Sequence, residues 1–117
     1  MTSVRRAVRG ILFAFRTEAN MRRHAAAGLA VLALVLVLPL ERWQVAALLI
    51  VTVGVFVVEL VNTSIERLTD LAKPQFHELA RDVKDTAAGA VLLAAGAAVL
   101  VGALIFGPYA LFLIRHV

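Results

Sequence analysis

The sequence of 117 residues contains no cysteine. That excludes disulfides, thiolate metal sites and a cysteine nucleophile. Charge is also scarce. Only 17% of residues are Asp, Glu, Lys or Arg, against 62% hydrophobic, where a soluble domain averages about 45–50% apolar. So few charges cannot cover so large an apolar content in water. The chain also lacks a G-x-x-x-x-G-K-[ST] loop and a G-x-G-x-x-G turn, so a bound nucleotide would be held without the common glycine-rich phosphate cradle. The three histidines, His24, His77 and His116, are scattered. None stands at metal-ligand spacing with another, which favours an interfacial over a catalytic reading and gives Ser/His/Asp hydrolysis little support. The net charge is +4, but no basic patch interleaved with aromatics goes with it. It fits loops beside anionic head groups and no nucleic-acid partner.

What the chain has instead is three apolar blocks, at 25–40, 43–60 and 87–113. A spanning helix needs about 20 residues, and only helices or closed barrels satisfy backbone polar groups in lipid. The blocks are long and do not alternate as barrel strands would. They predict an all-α integral membrane protein, a single domain over 1–117, with spans at about 21–40, 43–65 and 85–106. Roughly 24 residues precede the first block, which ends at Pro39-Leu40-Glu41-Arg42, so it reads as a retained span and not a cleaved signal. Pro74 is expected to end the helix before it. Gly107-Pro108 is expected to break the third block and leave the tail at the opposite interface. Ten Lys or Arg residues flank one side, from Arg5 to Arg23 and from Arg67 to Lys84, against Arg42 and Arg115 on the other. By the positive-inside bias the N-terminus is cytoplasmic and the C-terminus outside.

Residues Val4, Ala7, Val8, Ile11, Leu12 and Phe15 recur at helical spacing, with Arg5, Arg6, Arg9 and Arg16 mostly off that stripe. The pattern predicts an amphipathic surface helix over about 3–18, lying in the interface. In the third block, Ala90, Ala94, Ala98 and Gly102 place small residues at intervals of four, a stripe that permits close helix packing in lipid.

The stretch from Glu59 to Asp70 carries the chemistry. At about 100° per residue, Glu59, Asn62, Glu66 and Asp70 fall within some 80° of arc, with Thr63 at its edge. Glu59 and Glu66 are separated by about 10 Å along the axis. One face therefore carries three carboxylates and an amide out of the membrane. Glu59 lies within an apolar block, where an ionisable group is costly and points to function. A carboxylate merely marking a helix end would leave Asn62 and Glu66 on the same face unexplained. The polar loop that follows holds His77, and Lys84 and Asp85 stand where the third span enters the membrane; composition alone would read these as a solvated loop. Glu18, between the surface helix and the first span, would be an ordinary surface carboxylate by itself. With Glu66 it could complete a two-carboxylate Mg²⁺ site, since Mg²⁺ is held by one or two carboxylates with phosphates and water.

Glu59-Leu60-Val61-Asn62-Thr63-Ser64-Ile65-Glu66 with Asp70, followed by Ala80-Arg81-Asp82-Val83-Lys84-Asp85 and Ala87-Ala88-Gly89-Ala90-Val91, resembles the prokaryotic diacylglycerol kinase family, which includes undecaprenol kinases. The resemblance covers nearly the whole chain. Arg16-Thr17-Glu18-Ala19-Asn20 and His24-Ala25-Ala26-Ala27 look more like the undecaprenol kinase branch. It implies three transmembrane helices plus a surface helix per chain, a homotrimer in the bacterial inner membrane, and active sites between subunits at the cytoplasmic interface. It implies phosphoryl transfer from ATP to a lipid alcohol, undecaprenol or diacylglycerol. Glu59 would be the general base, Glu18 and Glu66 would hold the Mg²⁺ of Mg-ATP, and Lys84, Asp85 and His77 would contact the nucleotide. Asn62 would position Glu59 or the phosphates, with Asp70 on the same polar face. The N-terminal arm is shorter than in the best-known members, which leaves Arg6 or Arg9 as candidates for contacts drawn from it. The main rival reading is a small multidrug transporter using Glu59, but that would call for four spans and an acid deep in the first. A non-catalytic scaffold would leave the Glu59 to Asp70 face without a role.

Overall fold

The structure, a computed structural model, describes residues 2–117. These residues form four helices: α1 (Ser3–Thr17), α2 (Ala19–Val37), α3 (Arg42–Ala72) and α4 (Glu78–His116). Among the described residues no strand occurs. Helices α2, α3 and α4 are long and apolar enough to cross a membrane.

Each boundary has a local cause. The Thr2 hydroxyl accepts from the Arg5 amide at 3.3 Å and caps α1, satisfying one of the amides a helix start leaves without a partner. Glu18 is the one extended residue between α1 and α2 (φ −115°, ψ 116°). Its amide donates to the Ala14 carbonyl, and the Arg22 guanidinium donates back to the Phe15 carbonyl at 2.8 Å. The turn from surface helix to span is thereby closed at both ends. Helix α2 stops at Val37, short of the expected 40. Leu38 is extended (φ −93°, ψ 147°) because the ring of Pro39 crowds the helical conformation of the residue before it. Glu41 and Gln44 form a reciprocal capping box at the start of α3, and the Trp43 indole donates to the Glu41 carboxylate at 2.7 Å. Helix α3 ends at Ala72, just before Pro74, as the sequence predicts. His77 caps α4 by accepting the Leu79 amide on Nδ1 at 3.1 Å.

The expected break at Gly107-Pro108 does not occur: α4 runs through Pro108 to His116. The proline costs one helical hydrogen bond. Unwinding there would leave several more backbone groups unpaired, which the continued helix avoids. The continued helix is also tied down, since the Tyr109 hydroxyl donates to the Pro39 carbonyl at 3.3 Å.

Helices α3 and α4 form the main pair, α2 leans on α3, and α1 crosses α2 and α3 at the end that carries most of the basic residues. Helices α2 and α4 do not pack on each other. The slot between them over α3 holds a cavity of about 300 Å³, lined by Gly28, Leu34, Thr52, Val55, Phe56, Ala98 and Gly102 among others. Gly28 marks the close α2–α3 crossing, where an added Cβ would sit 3.5 Å from the Phe56 ring and from Thr52. Burial runs opposite to that of a water-soluble protein. Leu36, Ile50, Leu92, Leu93 and Leu104 are exposed, whereas Glu59, Asn62 and Thr63 are buried beside Met21, Leu48 and Val55. Apolar groups outside and polar groups inside suit a surround of lipid, where burying leucine gains nothing and exposing a carboxylate is costly. On α1, Val4, Val8, Ile11 and Leu12 are likewise exposed, an apolar stripe left for the membrane interface.

Candidate active site

Helix periodicity sets Glu59, Asn62 and Glu66 on one side of α3, and the crossing of α1 and α2 over α3 covers that side. Glu59 is 1% exposed. Asn62 is buried and donates through Nδ2 to Glu66 Oε1 at 3.3 Å. Glu18, at the α1–α2 turn, is brought to the same region, and its Oε1 accepts from Arg67 Nη2 at 2.9 Å. The Arg67 guanidinium also lies over the Phe13 ring, 5.6 Å from its centroid, so one side chain ties α3 to α1 and to the turn. Glu59 lies within electrostatic range of Glu18, Glu66 and His24.

The interior of this group is unsatisfied. Among the described residues, Glu59 Oε2, Asn62 Oδ1, Thr63 Oγ1 and His24 Nε2 are buried with no hydrogen-bond partner. Buried polar atoms are almost always paired, and three of these four are oxygens clustered within five residues of α3. Leaving several acceptors unpaired costs stability. A hydroxyl, an ammonium or a hard cation arriving there would recover it.

A second polar group begins at Asp70, about 6 Å beyond Glu66 and about 16 Å beyond Glu59 along α3 at 1.5 Å per residue. Lys84 of α4 pairs with Asp70 of α3. A cleft of about 250 Å³ opens beside them, lined by Asp70, Lys73, His77, Arg81, Lys84 and Asp85 among others. The expected site residues thus fall into two neighbouring groups. Glu18, Glu59, Asn62 and Glu66 stand at the crossing of α1, α2 and α3. Asp70, His77, Lys84 and Asp85 line the cleft between α3, its loop and α4. The His77 Nδ1 is occupied as a helix cap. Arg6 and Arg9, the arm candidates, are exposed on α1.

The donor set can be weighed against a divalent cation. No group of three or more His, Asp or Glu residues among those described is arranged to hold a metal by itself. The oxygens present, from Glu18, Glu66 and the unpaired Asn62 Oδ1, are hard donors of the kind Mg²⁺ takes alongside phosphate and water. The residues therefore fit a cation that arrives with a phosphate ligand.

A sequence model described as prokaryotic diacylglycerol kinase matches residues 5–106. The chain belongs to the prokaryotic diacylglycerol kinase family. Similar proteins include a "Diacylglycerol kinase" of Synechocystis, 45% identical over 109 residues, covering 92% of this chain and 62% of that one. An "Undecaprenol kinase" of Bacillus subtilis is 44% identical over 102 residues, covering 86% of this chain and 81% of that one. The chain thus spans less than two thirds of the Synechocystis relative's length. Family and apolar helices together make this a membrane protein.

Three members of the site were not singled out from the sequence. Arg67 follows Glu66 directly, but nothing in one dimension pairs it with Glu18, 49 positions away. Arg22 reads in the sequence only as part of a basic flank. His24 reads there as interfacial, yet it faces Glu59. Its only sequence signal was its position near the membrane end of an apolar block.

Proposed function

We propose that the chain is an ATP-dependent lipid kinase that phosphorylates a membrane lipid alcohol of the diacylglycerol or undecaprenol type. One observation carries this reading. A carboxylate, Glu59, is buried inside a helix long and apolar enough to span a membrane, with an unpaired oxygen, and it lies on a polar face that leads out to a basic cleft. A lipid hydroxyl is confined to the interface, so a base acting on it must sit at that depth. ATP is soluble, so the groups that hold it must face water.

In this reading the lipid hydroxyl comes to Glu59, which takes its proton. The hydroxyl oxygen bonds to the γ-phosphorus of ATP, the bond from that phosphorus to the β–γ bridging oxygen breaks, and ADP leaves. Such a transfer needs chiefly positioning and charge stabilisation, plus an acceptor for the nucleophile's proton. Lys84, with Lys73 and Arg81 lining the same cleft, supplies positive charge for the phosphates. Asp85 and His77 border the nucleotide. Asn62 fixes Glu66 through its amide, with its Oδ1 left unpaired. Glu18 and Glu66 would hold Mg²⁺, which when bound neutralises phosphate charge. Arg67, paired with Glu18, keeps that carboxylate at the turn. Three spans with a cytoplasmic N-terminus put both polar groups on the ATP side. A homotrimer, as the resemblance implies, would complete the site from a neighbouring copy.

The test is transfer of labelled phosphate from ATP to undecaprenol and to diacylglycerol, side by side in mixed micelles with Mg²⁺, for wild type and Glu59→Gln. Labelling of one lipid that is lost in Glu59→Gln supports both the reaction and the base, and the preferred lipid defines the substrate. If folded wild-type protein labels neither, the kinase reading fails.

A further inference from the structure

His24 takes part in none of the steps above, yet it faces the proposed base. Its Nε2 stands 3.9 Å from Glu59 Oε2, and both atoms are buried without a hydrogen-bond partner. The separation exceeds a hydrogen bond, and lies in the range from which catalytic contacts tighten when substrate binds. The imidazole is packed against an aromatic pair. Its ring meets the Phe56 ring edge-on, 6.4 Å between centroids at 79°, and Phe56 is itself packed on Phe15, 6.3 Å away. That stack sits where Gly28 lets α2 close on Phe56.

The neighbouring carboxylates of Glu66 and Glu18 offer Glu59 no partner. Arg67 is engaged by Glu18. Among the described residues no lysine or arginine nitrogen approaches Glu59 within ion-pair distance; the one such nitrogen is that of His24. The same imidazole lines the polar end of the apolar cavity between α2, α3 and α4, so a lipid hydroxyl reaching Glu59 from that slot passes beside it.

We infer that His24 is a positioning residue. Its Nε2–H holds the Glu59 carboxylate in one orientation, with an oxygen presented to the lipid hydroxyl. This rests on Glu59 being the base. A base held by one facing donor acts from one geometry, and misplacing it by about 1 Å can cost on the order of 100-fold in rate.

The experiment measures kcat and KM for ATP and lipid in mixed micelles for wild type, Glu59→Gln, His24→Leu, His24→Gln and His24→Asn. Elution volume and thermal unfolding are recorded alongside. The glutamine amide reaches the place of Nε2, whereas the asparagine amide reaches only that of Nδ1. His24→Leu and His24→Asn are expected to lose kcat by about 10- to 100-fold with KM for ATP unchanged, while His24→Gln recovers most of the loss. Wild-type kcat in His24→Leu overturns the assignment, as does a folded His24→Gln no better than His24→Asn. Should His24→Leu fail to fold, the Gln and Asn pair decides alone. Activity remaining in Glu59→Gln refutes the base itself, an outcome separate from normal His24 variants beside a dead Glu59→Gln.

Discussion

Replacing Glu59 with methionine separates function from stability. The side chain is 1% exposed, and Oε2 has no hydrogen-bond partner. The facing His24 nitrogen, at 3.9 Å, is beyond hydrogen-bond distance and closes on the carboxylate only as substrate binds. A buried polar group without a partner costs about 1–3 kcal/mol, and more if charged. Methionine has a similar length, fills the same space and carries nothing to desolvate. Glu59→Met is therefore expected to be more stable than wild type by at least about 1 kcal/mol while phosphoryl transfer falls to background. Loss of a general base alone accounts for about 10²–10⁴-fold. Stability would be read from reversible unfolding in a mixed micelle of fixed composition, and transfer from labelled ATP in the same micelle. A variant destabilised by more than about 1 kcal/mol would refute the reasoning, because the carboxylate would then be held by partners that stabilise the fold. A variant both more stable and fully active would show that Glu59 is not the base.

Three further outcomes are expected. Lys84 and Asp70 are each substantially exposed (40% and 53%), so Lys84→Ala should cost no more than about 1 kcal/mol of stability; it should raise KM for ATP several-fold, and an unchanged KM would remove Lys84 from the nucleotide site. Glu18→Gln and Glu66→Gln should each shift the Mg²⁺ dependence of transfer to higher concentration, and chelation should abolish transfer reversibly; identical Mg²⁺ titrations for wild type and both variants would exclude these carboxylates as ligands. Because the chain has no cysteine, Gln75→Cys in the α3–α4 loop and Gln44→Cys at the start of α3 can be labelled singly in intact cells with a membrane-impermeant thiol reagent. Gln44→Cys should react and Gln75→Cys should react only after lysis, and the reverse pattern would invert the assigned orientation.

The helices were legible in the sequence because lipid leaves the backbone little choice. A long apolar block with no water around it must satisfy its amides internally, and that fixes α2, α3 and α4 without reference to any neighbour. The same need to pair backbone groups carries α4 through Pro108, where a reading of the proline alone expects a break. The polar stripe of Glu59, Asn62 and Glu66 was equally legible, since residues within one helix keep their angular spacing wherever the helix lies. Its burial beside Thr63 follows from the same geometry once a cover is present.

What covers the stripe was not legible. The pairs Arg67–Glu18, His24–Glu59 and Lys84–Asp70 each join different parts of the fold. Periodicity fixes the direction of a side chain about its own axis, but not the rotation of one helix against the next. In lipid that rotation is decided by close packing and polar contacts and not by hiding apolar surface: here by Gly28 against Phe56 and by the Arg22 guanidinium closing the turn at Glu18. The sequence by itself determined a three-span membrane chain with a surface helix and one acidic face on α3. Only the tertiary structure decided that His24, and not another basic residue, faces Glu59, because that depends on how α2 is turned as it crosses α3.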